Sequence, residues 1–205
     1  MASGSFARIV SRALLDAGLL VVLLLVGEPS AIGHPADVEA ALLHRRLDVS
    51  AVRQWHRGSE SWRPLELPAA KVYVVNLWAI HCKPCIAEFP QLRNVAAGWK
   101  PKSEVQFVFL ADPPSETTEA EVVAFWQKNQ TALPDIDPSR SYSDVIRRGL
   151  DNDQEPITLL LDENLVVRQS FIGGIGERPL GRAIERLLQA IKNVESRSAR
   201  LKPGR

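Results

Sequence analysis

The chain has 205 residues, of which 45% are apolar and 24% charged, with five Trp and six Phe, enough to bury an ordinary core in one domain with appendages. Its formal net charge of +1 supplies no general basic field, and with no RNA- or DNA-binding motif present a nucleic-acid partner is not expected. From Met1 to about Gly33 the pattern is that of a targeting segment. Arg8 and Arg12 form a basic start, Ala17–Val26 is an unbroken apolar run, and Ala31-Ile32-Gly33 offers the small residues a signal peptidase reads. The run is short for a bilayer span, and Asp16 at its edge weakens the pattern. An internal core helix or an uncleaved anchor are the alternatives. No cysteine follows closely, so a lipid anchor is not expected. Export would place the chain in an oxidising compartment, where an unattended cysteine pair becomes a disulfide.

Residues 34–49 read as a leader, with Val38, Ala41, Leu42 and Arg45 on one face of a short helix and His44, Arg45 and Arg46 as a solvated face. A domain is expected over 50–194. Between Val49 and Leu67, β-prone pieces such as Ala51–Trp55 alternate with polar turns such as Arg57–Glu60, and Trp55 and Trp62 read as packing residues. Lys71–Trp78 is β-branched and aromatic, a buried strand.

There follows Trp-Ala-Ile-His-Cys-Lys-Pro-Cys-Ile-Ala-Glu, Trp78–Glu88, which holds both cysteines of the chain, Cys82 and Cys85. Ile86, Phe89, Leu92, Val95, Ala96 and Trp99 then recur at helical spacing, interrupted by Pro90. The pair therefore sits where a strand ends and a helix begins. Unpaired N–H groups and the helix dipole there, with Lys83 adjacent, favour a thiolate at Cys82. The thiolate is the form that attacks disulfides. Cys85, one turn inside, is placed to resolve the adduct, and a two-residue spacing is within disulfide reach. Lys83 and Pro84 tune the intervening turn, where a missing N–H is harmless.

Other readings stand beside this one. Two cysteines are half of a zinc site, but no second pair and no closely spaced histidine pair completes it. A structural disulfide across so short a loop would stabilise the fold by only about 2 kcal/mol. Copper(I) could be held by Cys82, Cys85 and His81, although Met1 is the chain's one methionine.

Glu104–Ala111 is a second buried strand, making strand–helix–strand a parallel βαβ unit. Thr118-x-x-Glu121 is a capping-box signature for a helix to about Gln130, with Val122, Phe125 and Trp126 inward. Leu133–Asp153 is polar, with one short helix near Tyr142–Gly149. Ile157–Asp162 and Val166–Ile172 flank Asp162-Glu163-Asn164, a hairpin turn in which Asn164 is suited to a left-handed conformation. Pro179 opens a helix with Leu180, Ala183, Ile184, Leu187 and Ile191 on one face. Residues 195–205 read as a basic, solvated tail.

The stretch Trp78-Ala79-x-x-Cys82-x-Pro84-Cys85-x-x-Glu88-Phe89-Pro90 resembles the active site of the thioredoxin superfamily, in particular its TlpA/ResA-like branch, and the similarity extends more weakly from about Ser50 to Lys192. The resemblance implies an α/β fold, a thioredoxin-like three-layer sandwich with a central mixed sheet and an N-terminal β-hairpin extension. It implies a protein-disulfide oxidoreductase with no cofactor beyond the redox-active Cys82–Cys85 disulfide and no metal, acting on protein thiols and disulfides. As a reductase, serving the haem-binding cysteines of apocytochrome c or a metal-site assembly protein, it would draw on a membrane electron donor.

By the same resemblance Pro156 is cis and lies opposite the cysteines, and Trp78, Glu155 and Thr158 belong to the partner-binding surface. Glu155 departs from the small or apolar residue usual before that proline, and a carboxylate there opposes the thiolate. Asn76 replaces the buried aspartate of thioredoxins proper. Glu88, one turn beyond Cys85, is then a candidate acid or base for the resolving thiol if buried; a solvent-facing glutamate is the alternative. His81 either supports the thiolate when protonated or is simply exposed or packed.

Overall fold

In chain order the elements are α1 (Pro35–Leu42), β1 (Val52–His56), β2 (Ser61–Pro64), β3 (Val72–Trp78), α2 (Lys83–Trp99), β4 (Val105–Ala111), α3 (Glu119–Lys128), β5 (Ser139–Ser141), β6 (Ile157–Asp162), β7 (Val167–Ile172) and α4 (Glu177–Leu201). They come from a computed structural model that describes residues 35–99, 101–102, 104–111, 117–134, 136–141 and 155–201. The targeting segment expected at 1–33 and the helix expected near 142–149 lie outside the described residues. Among those described, no helix is long and apolar enough to cross a membrane.

The strands form one mixed sheet in the order β2-β1-β5-β4-β3-β6-β7. β3 is parallel to β4 and antiparallel to β6, so β3-α2-β4 is the expected βαβ unit. β6 and β7 form the expected hairpin. β3 is buried along its whole length because the sheet is covered on both faces. Its side chains divide with period two: Val72, Val74 and Trp78 join the core shared with α2, α3 and α4, while Tyr73, Val75 and Leu77 join Val38 and Leu42 of α1 on the other face. Helices, sheet and the thinner α1 side make three layers.

β1 and β2 are the expected N-terminal hairpin. Trp55 and Trp62 pair across it and meet edge-to-face at 5.9 Å between ring centroids, which fits their reading as packing residues. The hairpin reaches the rest of the sheet through β5, a strand the sequence did not announce. β5 is antiparallel to β1 and parallel to the end of β4, where Leu110 is opposite Ser139 and Ala111 opposite Arg140. Ser-Arg-Ser carries no apolar alternation to reveal it.

Several boundaries differ from expectation. The described part of the segment expected as a leader, 35–49, falls in the same compact unit as the strands and helices that follow. Val38, Leu42 and Leu47 are buried. His44 N–H donates to Val167 O (2.9 Å), Val167 N–H to Arg45 O (2.9 Å) and Leu47 N–H to Leu165 O (2.8 Å), covering the outer edge of β7 that would otherwise be open to strange strands. Ala41 is exposed and Arg45 falls beyond the helix end, so only Val38 and Leu42 of the expected face point inward.

α2 is not interrupted at Pro90 but runs through it. Proline forfeits only the bond to the carbonyl of Ile86, and its ring is on the exposed side. In the β6–β7 turn the left-handed residue is Leu165 (φ 60°) rather than Asn164, because the Asp162 carboxylate takes the N–H groups of Asn164 (2.9 Å) and Val166 (3.1 Å) and shapes the turn around itself. α4 starts at Glu177, with Pro179 inside the first turn, and continues to Leu201, so most of the expected tail is helical. Leu180, Ala183, Ile184 and Leu188 are its buried stripe.

Candidate active site

β3 delivers the chain to the top of the sheet and α2 carries it away; the cysteines occupy the join. Cys82 N–H donates to Ala79 O (3.1 Å), closing a turn, and Ile86 N–H donates to Cys82 O (3.2 Å), the first bond of the helix. Cys82 is thus the N-cap residue, and its Sγ accepts the Cys85 N–H at 3.1 Å, where Ser, Thr or Asp would put an oxygen. Sulfur is thereby aimed at backbone donors whose dipole favours negative charge. Cys82 and Cys85 are disulfide-bonded with Cα atoms 5.3 Å apart. Cys85 is fully buried and Cys82 half-buried, so the outer sulfur is the accessible one. Lys83 and Pro84, the first two helical residues, are exposed.

Glu88 is on the buried face of α2, three residues beyond Cys85 and therefore a neighbour on the same side of the helix. It is 4% exposed. Its Oε1 accepts the Ile175 N–H at 2.6 Å, while Oε2 has no hydrogen-bond partner among the described residues. Burial pushes its carboxyl up to about 7 despite the opposing pull of the Ile175 N–H. It is a carboxyl poised between charge states at neutral pH.

The strand β6 brings the second side of the site. The Glu155–Pro156 peptide is cis, Pro156 is buried, and its carbonyl accepts the Gly173 N–H at 2.8 Å. Gly173 has φ +81°, a backbone that suits glycine. One carboxylate oxygen of Glu155 and the two cysteine sulfurs all lie within 4.8 Å of one another. The resemblance put Glu155 opposite the cysteines; spacing alone could not, since it stands seventy residues from Cys85.

Two residues expected on the partner-binding surface have buried side chains. Trp78 is wholly buried, edge-on to Phe89 at 5.4 Å and tilted against Trp126 at 5.3 Å between centroids. It forms the floor beneath the first turn of α2. Thr158 is also wholly buried; it lies opposite Asn76 in the β3–β6 register, and its Oγ1 accepts from Asn76 Nδ2 at 3.0 Å. Both side chains are turned into the interior of the fold. His81 is exposed. It faces the start of α3, where Glu121 is held low chiefly by its bonds to Thr118, with a smaller contribution from His81. The side chain gathered with the sulfurs is Glu155, not His81.

Comparison with solved structures follows the same lines. The chain is similar to a domain of a possible thiol-disulfide isomerase from Cytophaga hutchinsonii, with TM-score 0.54 and 18% identity over 74% of this chain and 97% of that one. It is similar to a thioredoxin-family thiol:disulfide interchange protein from Chlorobium tepidum, with TM-score 0.51 and 18% identity over 70% and 98% of the respective chains. A DsbF homologue from Corynebacterium diphtheriae gives TM-score 0.52 and 20% identity over 69% and 87%. No family model and no curated protein sequence matches the chain. The chain has the thioredoxin fold, with a CxxC pair at the start of α2.

Proposed function

We propose that this protein is a thiol–disulfide oxidoreductase that exchanges disulfides with protein cysteines through Cys82 and Cys85. The observation that carries the reading is the position of the pair: an accessible sulfur at a helix N-cap, bonded to a buried sulfur one turn inside. As a reductase, the Cys82 thiolate attacks a sulfur of the partner's disulfide, forming a mixed disulfide and releasing one partner thiolate. Cys85 then gives up its proton and attacks Cys82 Sγ. The second partner thiolate leaves, and the Cys82–Cys85 bond retains the oxidising equivalent. Two electrons pass from the pair to the partner. Glu88, buried one turn from Cys85, is the group to accept the proton of the resolving thiol. Pro156 and the backbone around it border the partner-binding groove.

The resemblance to the TlpA/ResA-like branch and the buried Glu88 support the reducing direction, with exported proteins such as apocytochrome c as the partner class and a membrane dithiol as the electron source. The apolar segment and basic start of residues 1–33 support an extracytoplasmic location.

Cys82→Ser is expected to abolish reduction of insulin disulfides, whereas Cys85→Ser is expected to retain attack and accumulate a covalent adduct with partner proteins that dithiothreitol releases. Full insulin reduction by Cys82→Ser would falsify the enzymatic reading.

A further inference from the structure

Disulfide exchange needs the two sulfurs and a proton carrier; it does not call for the carboxylate of Glu155. Yet that group converges with both sulfurs, all three donor atoms within 4.8 Å of one another. The donors come from two segments fixed independently. The cysteines are held by the first turn of α2, and Glu155 by the buried Pro156, whose carbonyl is bonded to Gly173. In the reduced protein the two cysteine sulfurs stand beside a carboxylate; ionised together the three would repel one another, an arrangement that a cation converts into coordination.

We infer that the reduced protein binds one Zn2+ through the Cys82 and Cys85 thiolates and the Glu155 carboxylate, leaving a fourth position open, and that the bound ion holds the pair out of disulfide exchange. Zinc takes thiolate sulfur at about 2.3 Å and carboxylate oxygen at about 2.0–2.2 Å, which in a tetrahedron sets these donors roughly 3.6–3.8 Å apart. The three donor atoms lie within 4.8 Å of one another while the sulfurs are still bonded. Reduction itself separates the sulfurs toward that spacing.

The donor set selects the metal. A carboxylate oxygen is a hard donor that Zn2+ accepts, whereas copper(I) favours thiolate and thioether. Cys82 and Glu155 are both partly exposed, giving the ion a way in, while Cys85 closes the inner side. Loading balances without redox change at the metal. A dithiol reductant gives two electrons to the Cys82–Cys85 bond and becomes a disulfide. Zn2+ then replaces the two thiol protons, which leave to solvent. The inference rests on the pair being reducible, as the proposed function requires.

The full chain, reduced and freed of reductant without oxygen, is titrated with Zn2+ against a chromophoric chelator and, separately, with Co2+, whose d–d absorption reports tetrahedral coordination. One ion per reduced chain and none for the oxidised chain are expected. Glu155→Gln should weaken binding by at least the roughly tenfold that losing even an outer partner costs a metal site, with its fold checked by circular dichroism. If that variant does not fold, Glu155→Asp, which keeps the donor on a shorter arm, should shift the Co2+ spectrum; an unshifted spectrum overturns the assignment. Equal Zn2+ affinity in wild type and Glu155→Gln overturns it, as does copper(I) uptake without Zn2+ uptake. Insulin reduction, measured without metal and with one equivalent of Zn2+, separates the two claims. Metal-free activity with no Zn2+ uptake sinks this inference alone. Stoichiometric uptake with no insulin reduction sinks the oxidoreductase reading and leaves the metal site.

Discussion

Glu88 sets the pH response at the scale of a single residue. Its carboxyl is raised from the ordinary 4.5 to about 7 by burial, so the native state holds this proton more tightly than the unfolded chain does. The resulting stabilisation is complete below pH 4.5, erodes between 4.5 and about 7, and is gone above that, a loss of roughly 3 kcal/mol across the window. Glu88→Gln keeps an acceptor for the Ile175 N–H and removes the titration. Urea unfolding is therefore expected to show the variant gaining on the wild type from pH 4.5 to 8; parallel pH curves would contradict the burial argument. If Glu88 also carries the proton of Cys85, the same variant loses about a hundredfold in the exchange rate, and its pH–rate profile loses the limb near 7.

The cysteines, and the position of Glu88 one turn beyond them, were legible in the sequence because they follow from helical spacing alone. Glu155 was legible beside the cysteines only through the resemblance, since in the chain itself it is the pairing of β6 beside β3 that brings it to the sulfurs. The burial of Trp78 and Thr158 was not legible, because membership in a motif says nothing about direction. Period-two alternation puts Trp78 on the face of β3 that carries Val72 and Val74, and Thr158 lies opposite Asn76 on that same face.

Among the elements, the β6–β7 turn is organised by one buried carboxylate. Burial pushes Asp162 up, but the N–H groups of Val166 and Asn164 and the Arg168 guanidinium more than offset this and hold it below its ordinary value. Arg168 reaches the same oxygen through Nε at 2.8 Å and through its terminal nitrogen at 2.6 Å. Asp162→Ala leaves these donors without their acceptor and is expected to cost about 2–3 kcal/mol, read as a lowered urea midpoint at pH 7. Because the folded carboxyl is the more acidic, the difference between variant and wild type should shrink as pH falls through the carboxylate range. An unchanged midpoint would show that the turn does not depend on this side chain.

The hairpin itself was readable from two apolar runs around Asp-Glu-Asn; which residue goes left-handed was not, because Asp162 decides it through bonds made two and four residues on. The capping box of α3 was equally readable. Thr118 Oγ1 accepts the Glu121 N–H at 3.3 Å, and Glu121 Oε2 accepts the Thr118 N–H at 2.7 Å, both dictated by residues three apart. Segment 34–49 was not readable as part of the fold, since two inward residues on an eight-residue helix make too faint a stripe.

Across the whole molecule, the strands differ sharply in how firmly they are sewn in. β3 has a full-length parallel partner on one side and an antiparallel one on the other, whereas among the described residues the backbone pairing of β1 and β2 to that centre runs through three-residue β5, which meets β4 at two positions. So narrow a seam of backbone pairing at the β1–β2 ribbon is expected to open before the centre of the sheet does. Amide protons of Gln54 and Trp55 should accordingly exchange with deuterium through an opening of lower free energy than those of Val74 and Leu160, which await global unfolding. Uniform protection across all four would mean that the ribbon and the centre rise and fall as one cooperative body.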